Sequence, residues 1–466
     1  MTPIPGPFLL VALPLLAAGL TYVVRHSAIL AAIVAAATTS VLAFLCLRLP
    51  LDRSAFVLGQ EVAFGQPVVV LGQSLQLEAA GQSFLAFIFV LSTVFYLVAW
   101  RISQGRSFFP FSLAILALYA LAILLQVFSL SVLVLALGGA LTVFIIQGGQ
   151  LGSVRGAQRY LMVTLLAVPL LLVAGWLGEP LPSGVQNAEM IRRALVPAAL
   201  GFGLLLAAFP FGTWMPAVAA EAPPIVTAFV FTAGQAVALF LALSFLREHP
   251  SILSDQETGS VVQLAGLVMC VSGGFMAAAQ RDFGRFFGYA ALADLGVLLL
   301  ALVVVGSRGV SLTLLHVIGR SVSITLVAVV LAVLRHRAMT DSFADLHAVA
   351  RRLPLTTAGL MLGGLALAGF PLTAGFPVRW AVYRAVSGEQ WLWTLLLVAS
   401  SVGIVIGLLR GLNAMLGADG RQDVTRPPLV TRLMVLILAV LTIILGLHPQ
   451  LFLEQVQSVA QVFSLF

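Results

Sequence analysis

The chain has 466 residues, 61% hydrophobic and only 9% charged, with a mean hydropathy of +1.10. A soluble domain carries about 25% charged residues, so this composition excludes a water-soluble fold and points to an all-α polytopic protein of the lipid bilayer. The net charge of +7 comes without a basic run or a stacking platform, which excludes nucleic acid as a partner.

All of the basic residues are arginine, and none is lysine. A buried lysine can release its proton, whereas arginine stays charged. Proton-relay chemistry in this chain is therefore left to Asp, Glu, His and water. Cys46 and Cys270 are far apart in apolar surroundings, reading as small core residues with no disulfide framework and no Fe–S or haem ligand set.

At ~20 residues per crossing the length accommodates about 14 transmembrane helices. The apolar runs place them at 6–24, 28–47, 82–100, 109–128, 130–147, 160–177, 194–210, 223–245, 260–279, 286–305, 310–334, 355–385 (interrupted), 391–411 and 429–447. The N-terminus lacks a basic n-region and a small-residue cleavage site, and reads as the first span and not a cleaved signal. Residues 50–80 alternate polar and apolar positions and predict a small extramembrane hairpin. The last stretch, with Leu451, Val456, Val459 and Phe463 near helical spacing, predicts an amphipathic helix lying at the interface.

Two stretches interrupt the apolar pattern. In FPFGTWMPAVAAEAPPIVTAFVFTAGQ (209–235), Pro210, Pro216, Pro223 and Pro224 stop one helix near Pro210 and begin another near Pro223. In LAGFPLTAGFPVRW (367–380), Pro371 and Pro377 break a second helix. Polar, irregular backbone survives at membrane depth only when buried in protein or facing water. Paired broken segments are the sequence sign of inverted repeats, and the spacing of Pro210 and Pro371 suits two five-helix units. The organisation read from this is 1–108 as N-terminal helices with the hairpin, 109–246 and 259–411 as the two repeats, and 429–466 as a last helix and tail. By alternate loops, fifteen arginines fall on one side and six on the other, with Arg384 close by. The richer side reads as cytoplasmic, placing both termini on the non-cytoplasmic side.

At these residues the chain resembles the NADH:quinone oxidoreductase/Mrp antiporter membrane family. FPFGTWMPAVAAEAPPIVTA resembles that family's PFHTWLPDAMEAPTPVSA, and RDFGRFFGYAALADLG its DIKRLLAYSSISHMG. LTLLHVIGRSVS and ARRLPLTTAGLMLGGLALAGFPLTAGFPVRW are similar to its eleventh-span histidine helix and its broken twelfth helix. The resemblance covers roughly 70–450 and is specific in the later motifs.

It implies an antiporter-like subunit with a central polar axis: a glutamate on the fifth span, lysines on later spans and histidines between. Here the matching positions have changed. No acid occurs between Arg106 and Glu179, and Gly138 falls nearest the glutamate. Leu205, Val237 and Ile324 match lysine positions, Gly212 matches the histidine after the proline–phenylalanine pair, and Arg379 replaces the twelfth-span lysine. Glu221, Asp282, Asp294 and His316 remain, with Arg320 at a second histidine position. The proton-path candidates are thus Asp294, His316, Arg320, Arg379, Glu221 and Gln235.

Two readings of Asp294, His316 and Arg320 stand open. They form a partial relay through water, or Asp294 and Arg320 pair across adjacent helices and lock the bundle. Buried membrane charges are usually paired, which favours the lock. Arg379 reads as a snorkelling or interface-anchoring arginine. Arg281, Asp282 and Arg285 read as a solvated turn, and Gln126 and Gln235 as water holders on the axis or as interhelical hydrogen bonds.

The resemblance implies a non-redox, cofactor-free subunit of a complex I-type assembly in a prokaryotic inner membrane. Paralogous membrane subunits and a redox or soluble arm would be its partners, and its own proton path would be degenerate. The alternatives are an Mrp-type or stand-alone cation/proton antiporter, and a membrane partner for a hydrogenase or carbon-concentrating module.

Overall fold

The computed structural model describes residues 4–51, 54–57, 60–70, 72–148, 154–178, 188–250, 256–304, 308–388, 391–417, 425 and 427–463. Arg53, Arg421 and Arg426, counted above for orientation, lie outside the described residues.

The chain runs as α1 (Gly6–Val23), α2 (Ala28–Arg48), α3 (Ala79–Ala99), α4 (Phe108–Leu124), α5 (Phe128–Gln147), α6 (Arg155–Gly178), α7 (Ala188–Leu205), α8 (Trp214–Glu221) and α9 (Pro224–Glu248). It continues through α10 (Gln256–Ala279), α11 (Phe283–Val304), α12 (Gly309–Ala338), α13 (Pro354–Ala368), α14 (Phe376–Ser387), α15 (Trp391–Leu416), α16 (Leu429–Leu447) and α17 (Leu453–Val462). Eleven described helices are long and apolar enough to cross a membrane. Adding the shorter apolar α4, and taking α7–α8 and α13–α14 as one interrupted crossing each, gives fourteen.

The crossings divide as α4–α9 and α10–α15, five each, with the interrupted one fourth in both. Five is odd, so the second unit enters from the opposite face and the two are inverted. Burial identifies the middle: along α9, 94% of the apolar window is buried, and 89% along both α11 and α12, against 28% along α16. Helices α9, α11 and α12 thus form the protein-filled interior, while most of the α16 window is left uncovered by the rest of the chain.

The first break is finer than two helices and a loop. α7 stops at Leu205, Ala207 turns left-handed (φ 54), and Pro210 follows a cis peptide. The two-turn helix α8 then forms before Pro223 and Pro224 end it, and Pro224 opens α9 as its first residue. Residues Val230–Gly234 of α9 wind as a π-helix, whose i→i+5 pattern frees a carbonyl from the helix ladder. The second break runs from Gly369 (φ +70) to Gly375, with Pro371 inside it and Pro377 at the second position of α14.

Outside the membrane, residues 50–80 form two small ladders where one hairpin is expected. β2 (Ser54–Val57) pairs antiparallel with β3 (Gln60–Ala63), and β1 (Ile4–Pro5) joins β3 in parallel with Ile4 opposite Val62. β4 (Val68–Val70) and β5 (Gln73–Leu75) make the hairpin in the alternating stretch, turning at Gly72 (φ 78). The tail helix α17 buries Val456, and Phe463 just beyond it wedges edge-on against Phe84 and Phe240, whereas Leu451 faces outward.

Candidate functional site

Three mid-membrane segments bring four ionisable side chains together. Asp294 sits halfway along α11, His316 and Arg320 one turn apart on α12, and Arg379 in the first turn after the second break. His316 Nε2 lies 3.2 Å from Asp294 Oδ1 and 3.2 Å from the Asp294 carbonyl oxygen; both are acceptors, so this nitrogen carries the proton. Arg320 Nε is 3.3 Å from Asp294 Oδ2, and Arg379 Nη2 is 3.4 Å from Oδ1. Asp294 and Arg379 are 1% exposed and Arg320 4%.

The broken helices explain how two guanidiniums survive at this depth. Arg320 Nη1 donates to Phe231 O at 2.6 Å, a carbonyl within the π-helical turn, and Nη2 donates to Ala291 O at 3.2 Å. Arg379 Nη2 donates to Leu367 O at 2.8 Å, at the carbonyl-rich C-terminal end of α13, and Nη1 donates to Ser401 Oγ at 2.8 Å. Each cation is thus held partly by the carboxylate and partly by a carbonyl that a helix irregularity frees, Phe231 O for Arg320 and Leu367 O for Arg379, with Ala291 O and Ser401 Oγ as further acceptors. Arg379 is therefore neither snorkelling nor at an interface: it is a full member of the cluster, 85 residues from the carboxylate in sequence.

The other expected residues stand elsewhere. Glu221 is half-buried at the C-terminal end of α8 and accepts from Gly156 N at 2.7 Å, placing a carboxylate on the N-terminus of α6. Asp282 accepts from Arg285 N at 2.7 Å and caps α11, as a solvated turn would. Gln126 is exposed beside Phe128 and not on the axis. Gln235 is buried between the two repeats.

In the first repeat the matched positions are filled by neutral groups. A Cβ on Gly138 would meet Tyr119 Cε1 at 3.1 Å, so that ring occupies the space beside the fifth span. Tyr119, Tyr160, Thr142 and Thr164 form a hydroxyl cluster there, with Leu205 alongside.

One structural residue gave no sequence signal. Arg335, near the end of α12, donates to Ala219 O (3.0 Å), Ala220 O (3.1 Å) and Ala222 O (2.9 Å), closing the C-terminus of α8, and pairs with Asp341 at 2.7 Å. Hydrogen bonds to a charged donor contribute roughly 1.5–3 kcal/mol, so Arg335→Gln is expected to lower the thermal unfolding midpoint in detergent, measured against wild type.

The family described as "NADH:quinone oxidoreductase/Mrp antiporter, TM" matches residues 129–407, more than half of the sequence. The chain belongs to this family. A family relative in Dehalococcoides mccartyi, NADH-quinone oxidoreductase subunit N, is 26% identical over 359 residues, covering 71% of this chain and 73% of the relative. Further family relatives described as subunit N are matched over only 53% to 59% of their own length. Among solved structures, the fold is similar to a chain of the archaeal membrane-bound sulfane sulfur reductase (TM-score 0.83, 17% identity, 98% of this chain and 97% of that one). It is also similar to a chain of respiratory complex I from Thermus thermophilus (TM-score 0.72, 18% identity, 98% and 99%).

Proposed function

We propose that this family member is an antiporter-like subunit of a complex I-type membrane assembly, and that its own proton path is closed. Paralogous membrane subunits and a redox or soluble arm are its partners, in a prokaryotic inner membrane. Both termini face the non-cytoplasmic side, a reading supported by the arginine asymmetry and the even span count.

The observation that carries the closed path is the charge of the central cluster. Two guanidiniums, which do not deprotonate, face one carboxylate, and no second acid stands with them among the described residues. With one carboxylate against two guanidiniums, the cluster keeps one fixed positive charge in excess, and that charge opposes the approach of a proton or cation. A fixed arginine acts in this way as a barrier to protons and cations in other pores. The first repeat offers hydroxyls in place of a base.

Reconstituted into vesicles under an imposed pH gradient, the chain is expected to dissipate the gradient no faster than protein-free vesicles, read by a pH-sensitive dye. Flux well above that background, abolished by Asp294→Asn in folded protein, would replace this reading with that of an autonomous cation/proton antiporter.

A further inference from the structure

Between the hydroxyl cluster of the first repeat and the charged cluster of the second lies a buried amide with almost no protein partner. Gln235 Nε2 reaches only Met215 Sδ at 3.6 Å, and Gln235 Oε1 meets no hydrogen-bond partner among the described residues. Exchanging the two ends of the carboxamide changes nothing, because one polar atom is still left over. Close by, the Trp214 Nε1–H donor is buried and likewise meets no acceptor among the described residues.

Both orphaned atoms belong to side chains that line one cavity of about 30 Å³, together with Tyr119, Tyr160 and Thr164. A second cavity of about 10 Å³ lies on the other side of Gln235, against Thr232, Arg320 and Ser321. One water needs roughly 10–15 Å³ of such space and two to four polar partners. The first cavity therefore has room for two waters and the second is at the size of one. Arg320 uses one hydrogen of Nη1 and one of Nη2 on carbonyls, leaving each with another to donate.

We propose that Gln235 is the centre of a bound-water site. Two waters in the larger cavity link Trp214 Nε1 and the Tyr119, Tyr160 and Thr164 hydroxyls to one side of the amide. One water in the smaller cavity links its other side to Arg320. Water is the ligand class because every side chain around the larger cavity is neutral, and one orphan donor beside one orphan acceptor is the pairing that a bridging water completes. The two repeats are then joined by a hydrogen-bonded chain that is neutral from the hydroxyl cluster to Gln235 and ends on the Arg320 guanidinium, and it transmits dipole orientation without a carboxylate or an imidazole. This inference stands apart from the closed-path reading, since proton flux can be absent with the site wet or dry.

The test is a double-mutant cycle on the full chain in nanodiscs, using Trp214→Phe and Gln235→Met and reading thermal unfolding midpoints. The two side chains share no direct hydrogen bond, but they share a cavity and the neighbouring Met215, so the sign of the single effects is read together with the coupling: loss of a satisfied polar group destabilises, loss of an unsatisfied one does not. With bridging water, each single variant lowers the midpoint and the double variant lowers it by less than the sum. With a dry cavity the effects add and Gln235→Met raises the midpoint, because an unsatisfied buried amide has been removed; that result overturns the proposal. Should Trp214→Phe fail to fold, a wild-type structure resolving waters elsewhere in the membrane domain decides the matter. Solvent density in both cavities supports the site, and empty cavities refute it.

Discussion

Asp294→Asn is expected to abolish most of the folded protein, and neutralising the arginines that face it is expected to bring it back. The substitution keeps the shape of the side chain and removes the one negative charge of the cluster. Arg320 and Arg379 then remain 4% and 1% exposed, faced only by neutral acceptors, backbone carbonyls and Ser401 Oγ. Removing one partner of a buried ion pair costs about 3–5 kcal/mol, and here two cations lose the same partner. Total stabilities are commonly about 5–15 kcal/mol, so the loss takes up a large share of what holds the chain folded.

The order of the variants tests the charge argument separately from packing. Arg320→Gln alone leaves Asp294 opposite Arg379 and removes the excess positive charge, so its effect is the mildest of the series. Asp294→Asn/Arg320→Gln recovers part of the folded yield, because one unbalanced cation remains. Adding Arg379→Gln recovers more. Folded yield by size-exclusion chromatography and the unfolding midpoint in detergent read all four. Wild-type yield for Asp294→Asn would contradict an electrostatic lock and return the carboxylate to the list of transport groups.

The spans and both interruptions were legible in the sequence because hydropathy and proline act locally. Pro223 and Pro224 end one helix and start another through their own backbone chemistry, and the structure follows them within a residue or two. The short helix Trp214–Glu221 was not legible, since two turns bounded by prolines are marginal alone and this one depends on Arg335, over 110 residues away, to close its last carbonyls. Nor was the π-helical turn at Val230–Gly234, which makes sense only once Arg320 is seen on the Phe231 carbonyl. Arg379 departs from its expected place for a related reason. A lone arginine beside a tryptophan after a helix break has the look of an interface anchor, and only tertiary contact with α11 turns it inward. The pairing of Ile4–Pro5 with β3 is again a contact between distant segments that neither segment encodes. Asp294 stands 3.2 to 3.4 Å from His316, Arg320 and Arg379, contacts that both readings of the cluster require, and the variant series above is what separates them.

Gly369→Ala is expected to destabilise the protein by more than 2 kcal/mol on the order-of-magnitude costs of left-handed backbone and overpacking. The residue follows the last turn of α13 at φ +70, where an L side chain is strained, and its N–H bonds to Ala366 O at 3.0 Å as a helix terminator. A methyl group there would also run into Cδ and Nε of Arg379. A flexible surface arginine would simply swing away. This one is held by Leu367 O, Ser401 Oγ and Asp294, so relief means pulling the guanidinium off the carboxylate. Gly388→Ala, where a Cβ meets nothing within 4 Å and the backbone is helical, is the neutral control. The two contributions separate in an Arg379→Ala background, where the clash is gone: the penalty of Gly369→Ala is then expected to fall to the backbone part, about 1–2 kcal/mol. Equal penalties in both backgrounds would mean that the glycine serves the turn alone and that the second break plays no part in seating the cation.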